Sequence, residues 1–401
     1  MTLKTSFRKA LRDSKNLCFI QKCLAFYMVN LMQKKTKHSK LLKVFKICVF
    51  FRQKIAYFYQ AEFNYYYSDY KKSLDYVEYF LKFYPKHIEA KYLKAQLLFL
   101  LNKKQESWEI LIECLKLTKR LKTWLLLSKI IQNKNECKQL QELYEKYKKN
   151  YSIKNQITIR NYLIITFKKN KYYFCAKKYL KENILYFNKK NSVVEKNTII
   201  KKDAIAAIDD LRMVFDNLGV NFFLISGTFL GCIREGKFLG HDYDVDIGIW
   251  EKDYTDIVRS EILKYGVFTI YDLQWNGGLK LKHVNGIKID IFIHYREADK
   301  IYHKGDIAKW YNTVSELKYY DFCNGKYYGF ADFDTYLQEN YGEWKIEKKY
   351  FDNILDTPNA VIINNELFII HLYQLLMKKY AIKNYDRIIN YLKQYGEENI
   401  N

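Results

Sequence analysis

The chain has 401 residues, enough for two domains, and its 68 lysines and arginines against 44 acidic residues give a net charge of +24. Its eight cysteines are scattered without a C-x-x-C pair, which excludes a disulfide framework and a zinc pattern and fits a reducing cytoplasm. With 2 prolines and 15 glycines, the composition does not indicate a disordered linker.

The positive charge is concentrated in the first half of the chain. Residues 1–200 contain 43 lysines and arginines against 14 acidic residues, whereas residues 201–401 contain 25 against 30. This asymmetry predicts two separate units, the basic one facing an anionic partner such as a membrane leaflet, a polyanionic glycan or nucleic acid. The alternative is a lysine-rich composition bias of the kind that an AT-rich genome produces.

Residues 1–54 are predicted to be a basic helical segment. The apolar run 17–32 is interrupted by Lys22 and Asn30, and a spanning helix needs about 20 mostly apolar residues, so we expect no membrane span. One interpretation is an amphipathic helix on an anionic surface, a peripheral membrane contact. The other is the first helix of a helical array with solvated lysines. We expect no signal peptide, because no small-residue cleavage site follows an apolar core.

Residues 55–195 are predicted to form stacked helix pairs. A shift of 34 residues aligns small or apolar side chains: Ala61 with Ala95, Ser73 with Ser107, Val77 with Leu111, and Leu81 with Leu115. This period is similar to that of tetratricopeptide repeats, in which each pair buries its core only by stacking on its neighbours. Such repeats commonly hold a protein partner in a groove, which we predict here; the alternative is a helical spacer without a partner.

Residues 196–401 are predicted to be one α/β domain. Apolar periodicity and turn residues predict a helix over 198–218, a strand over 222–225 and a short helix ending at Arg234. A second strand at 244–249, a helix over 253–265 and strands over 267–271, 279–283 and 287–294 follow, and Asn285-Gly286 marks a hairpin turn. One or two closing helices are expected within 360–395. The predicted fold class is therefore multidomain: a tetratricopeptide-like helical region, then a mixed sheet flanked by helices.

The stretch 226–249 carries the candidate chemistry. On a strand, Asp244 and Asp246 point to the same face, and two adjacent carboxylates repel unless a cation lies between them. Oxygen ligands of this kind suit Mg²⁺ or Mn²⁺. Gly227 and Thr228 form a turn before a helix N-terminus, where backbone N–H groups can approach a phosphate. Together these features predict transfer from a nucleoside diphosphate derivative.

A further aspartate lies in the apolar strand 288–293. Ile289, Ile291 and Ile293 would face the core, and Asp290 would face the opposite side with His294. A carboxylate in such a strand is costly unless it binds something. The alternative is an aspartate on the exposed face of a half-buried sheet, with His294 structural.

The motif order resembles that of a known family. Gly227-Thr228, Leu230-Gly231, Arg234, and Asp242-x-Asp244-Val-Asp246 occur in the order typical of the LicD/fukutin-related group of nucleotidyltransferase-fold proteins. The resemblance covers roughly residues 200–350 and includes a second segment, Tyr336-Leu337 with Tyr341-Gly342-x-Trp344. Many bacterial relatives have an unbroken acidic run at this place, where the present chain has Tyr243. This chain therefore looks closer to the fukutin-like form. His241 has no predicted role.

The resemblance implies an activity and roles for these residues. It implies a phosphotransferase that moves phosphocholine or a polyol phosphate from a CDP-activated donor to a glycan or lipid-linked sugar of the cell surface, working at the cytoplasmic face of a membrane. Asp244, Asp246 and Asp290 would be the catalytic metal ligands, with Asp290 also accepting the acceptor proton. The phosphate and substrate contacts would come from Gly227, Thr228, Gly231, Arg234 and Asp242. Arg234 would neutralise the leaving nucleotide or brace the acidic cluster, and Asp242 would orient the turn.

Three alternatives remain open. The same fold could attach the nucleotide itself to the acceptor. The helical repeats could serve as a non-catalytic adaptor, although the set of three carboxylates argues against an inert second domain. An RNA-binding nucleotidyltransferase ranks last, because no RNA-binding module is readable in the sequence.

Overall fold

The computed structural model describes residues 3–186, 201–240, 244–272, 275–348, 350–378 and 380–397. The chain divides into two compact units. The first comprises Met1–Thr166, Ser260–Thr269 and Val284–Gly286, and the second Phe167–Arg259, Ile270–His283 and Ile287–Asn401. The boundary predicted between residues 195 and 196 lies outside the described residues and stays a prediction.

The first unit is built from helices. They begin with α1 Leu3–Asp13, α2 Phe19–Met32, α3 His38–Phe50, α4 Ile55–Tyr66, α5 Tyr70–Phe83, α6 Ile88–Leu100, α7 Lys104–Leu117, α8 Leu121–Ile130 and α9 Lys134–Tyr147, followed by α10 Ile153–Lys169. Side chains of Asp69, His87 and Asn133 accept hydrogen bonds from the first turns of α5, α6 and α9, which fixes where these helices start. Among the described helices, none is both long and apolar enough to cross a membrane.

The 34-residue spacing corresponds to a repeated contact between helices. The Ser73 hydroxyl donates to the Ala61 carbonyl at 2.6 Å, and the Ser107 hydroxyl donates to the Ala95 carbonyl at 2.7 Å. Both serines are fully buried. The pairs α4–α5 and α6–α7 therefore pack through the same bond one period apart. The helical character of this region is confirmed, and its assignment to tetratricopeptide repeats stays a prediction.

A buried carboxylate joins α1 to α6 and to the start of α8. Glu89 in α6 contacts Arg12 at 3.2 Å, Arg120 at 2.6 Å and Lys122 at 2.7 Å. Burial alone would raise the pKa of Glu89, but Lys122, Arg12 and Arg120 together lower it to about 2. Burial lowers the pKa of Lys122 despite this contact, because Lys122 shares one carboxylate with other cations. Glu89 is therefore the centre of the cluster.

A second contact set joins α1 to α4. Lys9 lies 2.7 Å from Asp13 and 2.7 Å from Glu62, and the Tyr59 hydroxyl donates to Asp13 at 3.4 Å. Helix α1 therefore contacts both α4 and α6, the first helices of two successive pairs. The predicted protein partner of this region stays a prediction.

The second unit is centred on a mixed sheet. The remaining helices are α11 Tyr173–Ile184, α12 Lys201–Leu218, α13 Ser226–Glu235, α14 Asp256–Lys264, α15 Phe333–Tyr341, α16 Asn365–Leu376 and α17 Ala381–Gln394. The strands are β1 Phe223–Leu224, β2 Asp244–Trp250, β3 Phe268–Asp272, β4 Gly278–His283, β5 Lys288–Glu297, β6 Lys300–Lys304, β7 Ala308–Thr313, β8 Leu317–Phe322, β9 Gly325–Phe330 and β10 Ala360–Ile362.

The strand order is β10-β7-β6-β5-β2-β1-β9-β8. Strand β5 pairs in parallel with β2 along one edge. Its other edge pairs antiparallel with β4 over residues 288–292 and with β6 over residues 294–297. A helical N-terminal region followed by a mixed sheet with flanking helices confirms the predicted fold class.

A row of aromatic rings crosses the centre of the sheet. Trp250 lies opposite His294, His294 opposite His303, and His303 opposite Trp310. Both histidines are buried, and their ring centroids are 4.8 Å apart. Burial lowers the pKa of His294 to about 4 and that of His303 well below its ordinary value. Both imidazoles are therefore neutral in the native protein at pH 7.

This arrangement makes stability fall in mild acid. An unfolded histidine binds its proton near pH 6.5, so lowering the pH from 7 toward 4 favours the unfolded chain. Each histidine is expected to remove about 2 kcal/mol of unfolding free energy between pH 7 and pH 5. Urea titrations at the two pH values measure this loss. The His303→Leu variant should show roughly half of the loss that His294 and His303 cause together. His87, whose pKa is also lowered by burial, contributes equally to both proteins. An identical loss in the wild type and the variant would contradict the role given to His303.

Candidate functional site

Three carboxylates meet where β2 and β5 run side by side. The parallel register places Asp246 opposite Asp290. One oxygen from each of Asp244, Asp246 and Asp290 lies within 4.8 Å of the others. Val245 and Ile247 are fully buried on the opposite face of β2, and this alternation turns both of its aspartates toward Asp290.

Neighbouring side chains hold both oxygens of Asp290, which is 5% exposed. The Tyr271 hydroxyl donates to Oδ1 at 2.7 Å, and the Lys280 ammonium lies 2.7 Å from Oδ2. Burial and the Asp290 carboxylate raise the pKa of Tyr271, so its hydroxyl stays protonated and remains a donor. Lys280 also lies 4.6 Å from the Trp275 ring centroid. Lys280 thus supplies positive charge to a cluster of three carboxylates.

The carboxylate cluster fits a hard divalent cation. Its three candidate donors, Asp244, Asp246 and Asp290, are all oxygen and lie within 4.8 Å of one another. Mg²⁺ and Mn²⁺ prefer oxygen ligands and are commonly held by a few carboxylates together with substrate phosphates. Asp244 and Asp246 are half-buried, so the cluster is not sealed in the interior. The donor set therefore fits Mg²⁺ or Mn²⁺, and the metal site stays a prediction.

Helix α13 begins beside this cluster. Ser226, its first residue, has φ of +49°, a left-handed conformation that a non-glycine residue seldom adopts. The Ser226 N–H donates to the hydroxyl of Tyr336 in α15 at 3.1 Å. Gly227 follows and is half-buried. The amides of Gly227 and Thr228 have no partner within the helix, so they can receive an anion.

Thr228 ties α13 to the aspartate strand. Its side chain is fully buried, and its hydroxyl accepts a hydrogen bond from the Asp246 N–H at 2.9 Å. This bond fixes the position of β2 relative to the helix start. The predicted phosphate contact of Thr228 stays a prediction.

Gly231 permits close packing of the following loop. A Cβ atom at this position would lie 2.7 Å from the Lys237 carbonyl oxygen and 3.2 Å from the Leu239 nitrogen. The glycine thus lets the segment leading to the aspartate motif pack against α13, and its predicted substrate contact stays a prediction. Asp242, predicted to orient this turn, and His241 lie outside the described residues.

Arg234 connects the two motif segments. Its guanidinium donates to the Trp344 carbonyl at 3.4 Å and pairs with Glu235 at 3.3 Å. The Trp344 indole in turn donates to Asp334 in α15 at 3.0 Å. Arg234 therefore braces the second motif segment against α13, and its predicted action on the leaving nucleotide stays a prediction.

Tyr271 was not predicted as a site residue, and Tyr336 was noted only as part of the second motif segment. Lys280 and Lys282 stand two residues apart in β4. The structure separates the two lysines, because Lys280 lies opposite Asp290 in the β4–β5 hairpin and Lys282 is exposed. A two-residue turn at 285–286 would pair position 280 with position 291, one residue from the observed partner, so the turn signal places Lys280 near Asp290 but does not give the exact register.

Comparison with known proteins identifies the domain that contains this site. A family model described as "LicD/FKTN/FKRP, nucleotidyltransferase domain" covers Gly227, the three aspartates and Arg234. Residues 219–334 match the LicD/FKTN/FKRP domain. The resemblance inferred from the motifs is thereby confirmed, and we refer to residues 219–334 as the LicD-type domain.

Relatives of the LicD-type domain include animal transferases. The chain is 29% identical over 185 residues to the human ribitol-5-phosphate transferase FKTN and 30% identical over 185 residues to that of Macaca fascicularis. Each match covers 40% of this chain and 37% of the relative. An uncharacterized protein of Rickettsia typhi is 28% identical over 169 residues, with 40% of this chain and 53% of the relative covered. The chain thus spans little more than a third of the length of the transferases that it matches.

Proposed function

We propose that this protein is a divalent-cation-dependent phosphotransferase. In this proposal it moves a phospho-alcohol group, phosphocholine or a polyol phosphate, from a CDP-activated donor to a hydroxyl of a glycan or lipid-linked sugar. The observation that carries the proposal is the meeting of Asp244, Asp246 and Asp290 beside the start of α13. Support for the reaction class comes from the LicD-type domain and from relatives named ribitol-5-phosphate transferases.

The residues divide the proposed work among them. Asp244, Asp246 and Asp290 would hold Mg²⁺ or Mn²⁺, which when bound supplies charge compensation for the diphosphate of the donor. The amides of Gly227 and Thr228 bind a phosphate oxygen at the helix N-terminus. Asp290 receives the proton of the acceptor hydroxyl as the new O–P bond forms and CMP leaves. Catalysis then rests mainly on positioning and charge compensation.

Lys280 has a testable role in this scheme. Its ammonium lies 2.7 Å from Asp290 Oδ2 and so competes with a cation for that oxygen. The Lys280→Met variant is expected to bind Mg²⁺ about tenfold more tightly, since a charged hydrogen bond contributes about 1.5 kcal/mol or more. Isothermal titration with MgCl₂ measures this change. Lys282→Met is the matched control, because Lys282 lies exposed on the same strand, and this variant should bind Mg²⁺ as the wild type does. Equal Mg²⁺ affinities in all three proteins would show that Lys280 does not compete with the cation for Asp290.

The experiment that tests the function follows the nucleotide product. The purified protein is incubated with Mg²⁺, a glycan acceptor and a panel of CDP-alcohols, namely CDP-choline and CDP-polyols, and the products are separated by chromatography. Release of CMP with a modified acceptor supports the proposal. Release of the phospho-alcohol with CMP left on the acceptor supports nucleotidyl transfer, the alternative that the description of the domain as a nucleotidyltransferase favours. No turnover of any donor by the folded protein would count against both.

A further inference from the structure

One end of the first unit exposes a group of large apolar side chains. Helices α2 and α3 run antiparallel, because two contacts step forward along α3 and backward along α2: His38 lies 3.1 Å from the Met32 carbonyl, and the Lys40 ammonium lies 5.7 Å from the Tyr27 ring centroid. The first residue of α2, Phe19, and the last residue of α3, Phe50, therefore lie at the same end of this helix pair.

The start of α4 and the end of α5 lie at this same end of the α2–α3 pair. The Gln21 side chain in α2 donates to the Tyr84 hydroxyl, just after α5, at 3.3 Å. Lys54, which precedes α4, places its ammonium 4.1 Å from the ring centroid of Phe83, the last residue of α5. We call the surface formed by Phe19, Ile20, Phe50, Phe51 and Phe83 the tip patch.

The tip patch is strongly exposed. Phe19 is 79% exposed, Phe50 80%, Phe51 65% and Ile20 61%. The rings of Phe50 and Phe51 contact each other edge to face with centroids 5.2 Å apart. In contrast, Phe45 in the preceding turns of α3 is buried in the core. A soluble surface rarely presents several large apolar side chains together unless they bind something.

The charge around the tip patch indicates what it binds. Exposed basic side chains flank it in the loop before α2, in and just after α3, and near the end of α5: Lys15, Lys46, Arg52 and Lys82. Residues 14–61 contain ten lysines and arginines and no acidic residue. The exposed carboxylate of Asp75 lies about two helical turns before Phe83, away from the helix end. Apolar side chains within a basic surround match the acyl boundary and the anionic headgroups of a lipid bilayer.

We propose that the tip patch docks this protein on an anionic membrane surface. Phe19, Ile20, Phe50 and Phe51 enter the headgroup boundary, and the flanking lysines and arginine pair with lipid phosphates. The two contributions are separable, since salt screens the charge attraction and leaves apolar burial in place. The proposal is independent of the proposed transferase reaction, because it uses no residue of the LicD-type domain.

Sedimentation of the full chain with lipid vesicles tests the proposal. The vesicles contain phosphatidylcholine and phosphatidylglycerol, the latter as one third of the lipid. Binding to them is expected to be at least about tenfold stronger than binding to pure phosphatidylcholine vesicles, and to weaken as the salt concentration is raised. The double variant Phe50→Ser with Phe51→Ser should lose at least about tenfold of this binding, and Lys46→Glu with Arg52→Glu should lose a similar factor.

Phe174→Ser is the matched control. Phe174 is 77% exposed on α11, outside the tip patch, so its replacement should leave vesicle binding unchanged. Far-UV circular dichroism checks that every variant retains its helices. Unchanged vesicle binding by the Phe50/Phe51 variant would overturn the proposal, as would equal binding to neutral and anionic vesicles. A wild type that binds a single-stranded RNA probe or a protein but no vesicles, together with a Phe50/Phe51 variant that loses this binding, would assign the patch to another partner. That result would also overturn the proposal.

Discussion

Replacing Asp246 with asparagine is expected to lower the rate of phospho-alcohol transfer by about 1,000-fold or more. The side chain keeps its shape but loses the charge that it contributes to the three-carboxylate cluster. The backbone N–H of residue 246 still donates to the Thr228 hydroxyl, so α13 and β2 stay joined. Since one of three mutually repelling charges is removed, we expect the variant to be at least as stable as the wild type. CMP release and a urea titration on the same preparation measure the two effects.

The control for this experiment is an aspartate from the same sheet. Asp299 lies exposed in the turn between β5 and β6, away from the carboxylate cluster. Asp299→Asn removes the same charge and should retain activity within about twofold, as a surface substitution away from any site does. An Asp246→Asn protein that releases CMP at the wild-type rate would show that the cluster is not the catalytic centre.

Replacing Glu89 with glutamine is expected to reduce the free energy of unfolding by about 3–5 kcal/mol. The side chain is 6% exposed and contacts Arg12, Arg120 and Lys122, so the variant leaves three cations near one another without their shared carboxylate. A urea titration followed by circular dichroism at 222 nm measures the loss.

The matched control is an ion pair of similar length on the surface. Glu113 contacts Lys91 at 2.8 Å but is 52% exposed, so Glu113→Gln should cost only about 0–1 kcal/mol. The pH dependence gives a second test. Because Glu89 has its pKa lowered to about 2, its contribution is fully present above pH 4.5 and is lost between pH 4.5 and 2. Equal effects of the two substitutions, or no difference in their acid profiles, would contradict the role given to Glu89.

Much of the architecture was predictable from local patterns. The alternation in 244–249 and in 288–293 predicted β2 and β5, and the turn residues at 285–286 predicted the β4–β5 hairpin. These segments show their structure locally, since one face is aliphatic throughout. The 34-residue spacing predicted helix pairs, and the two buried serine bonds are its structural counterpart.

Strands β6 to β10 were not predicted, and β10 lies where the range of the expected closing helices begins. In β6 and β7 the inward-facing positions include His303 and Asn312, which are buried but polar. The outward positions are lysines and tyrosines, so the apolar alternation that marks a half-buried strand is absent. Their pairing is decided by the neighbouring strands rather than by their own composition, and a local pattern cannot show this.

In the candidate site, too, some residues were predictable from a local pattern and others depend on elements distant in the chain. The three aspartates were predictable because each stands in an apolar strand, where a carboxylate is costly. Thr228 was predicted to contact phosphate, but the bond from the Asp246 N–H to its hydroxyl was not predicted, because it depends on how α13 approaches β2. Tyr271 and Tyr336 lie on elements distant in the chain, so only the assembled sheet and helix bring them to Asp290 and Ser226.

The most direct test of the central claim is an anomalous diffraction measurement on crystals of this protein grown with Mn²⁺ and CDP. The expected result is a manganese peak within coordination distance, about 2.0–2.6 Å, of carboxylate oxygens of Asp244, Asp246 and Asp290, with the nucleotide phosphates at the start of α13. A well-ordered nucleotide bound elsewhere, or a map with no manganese among these three side chains, would contradict it.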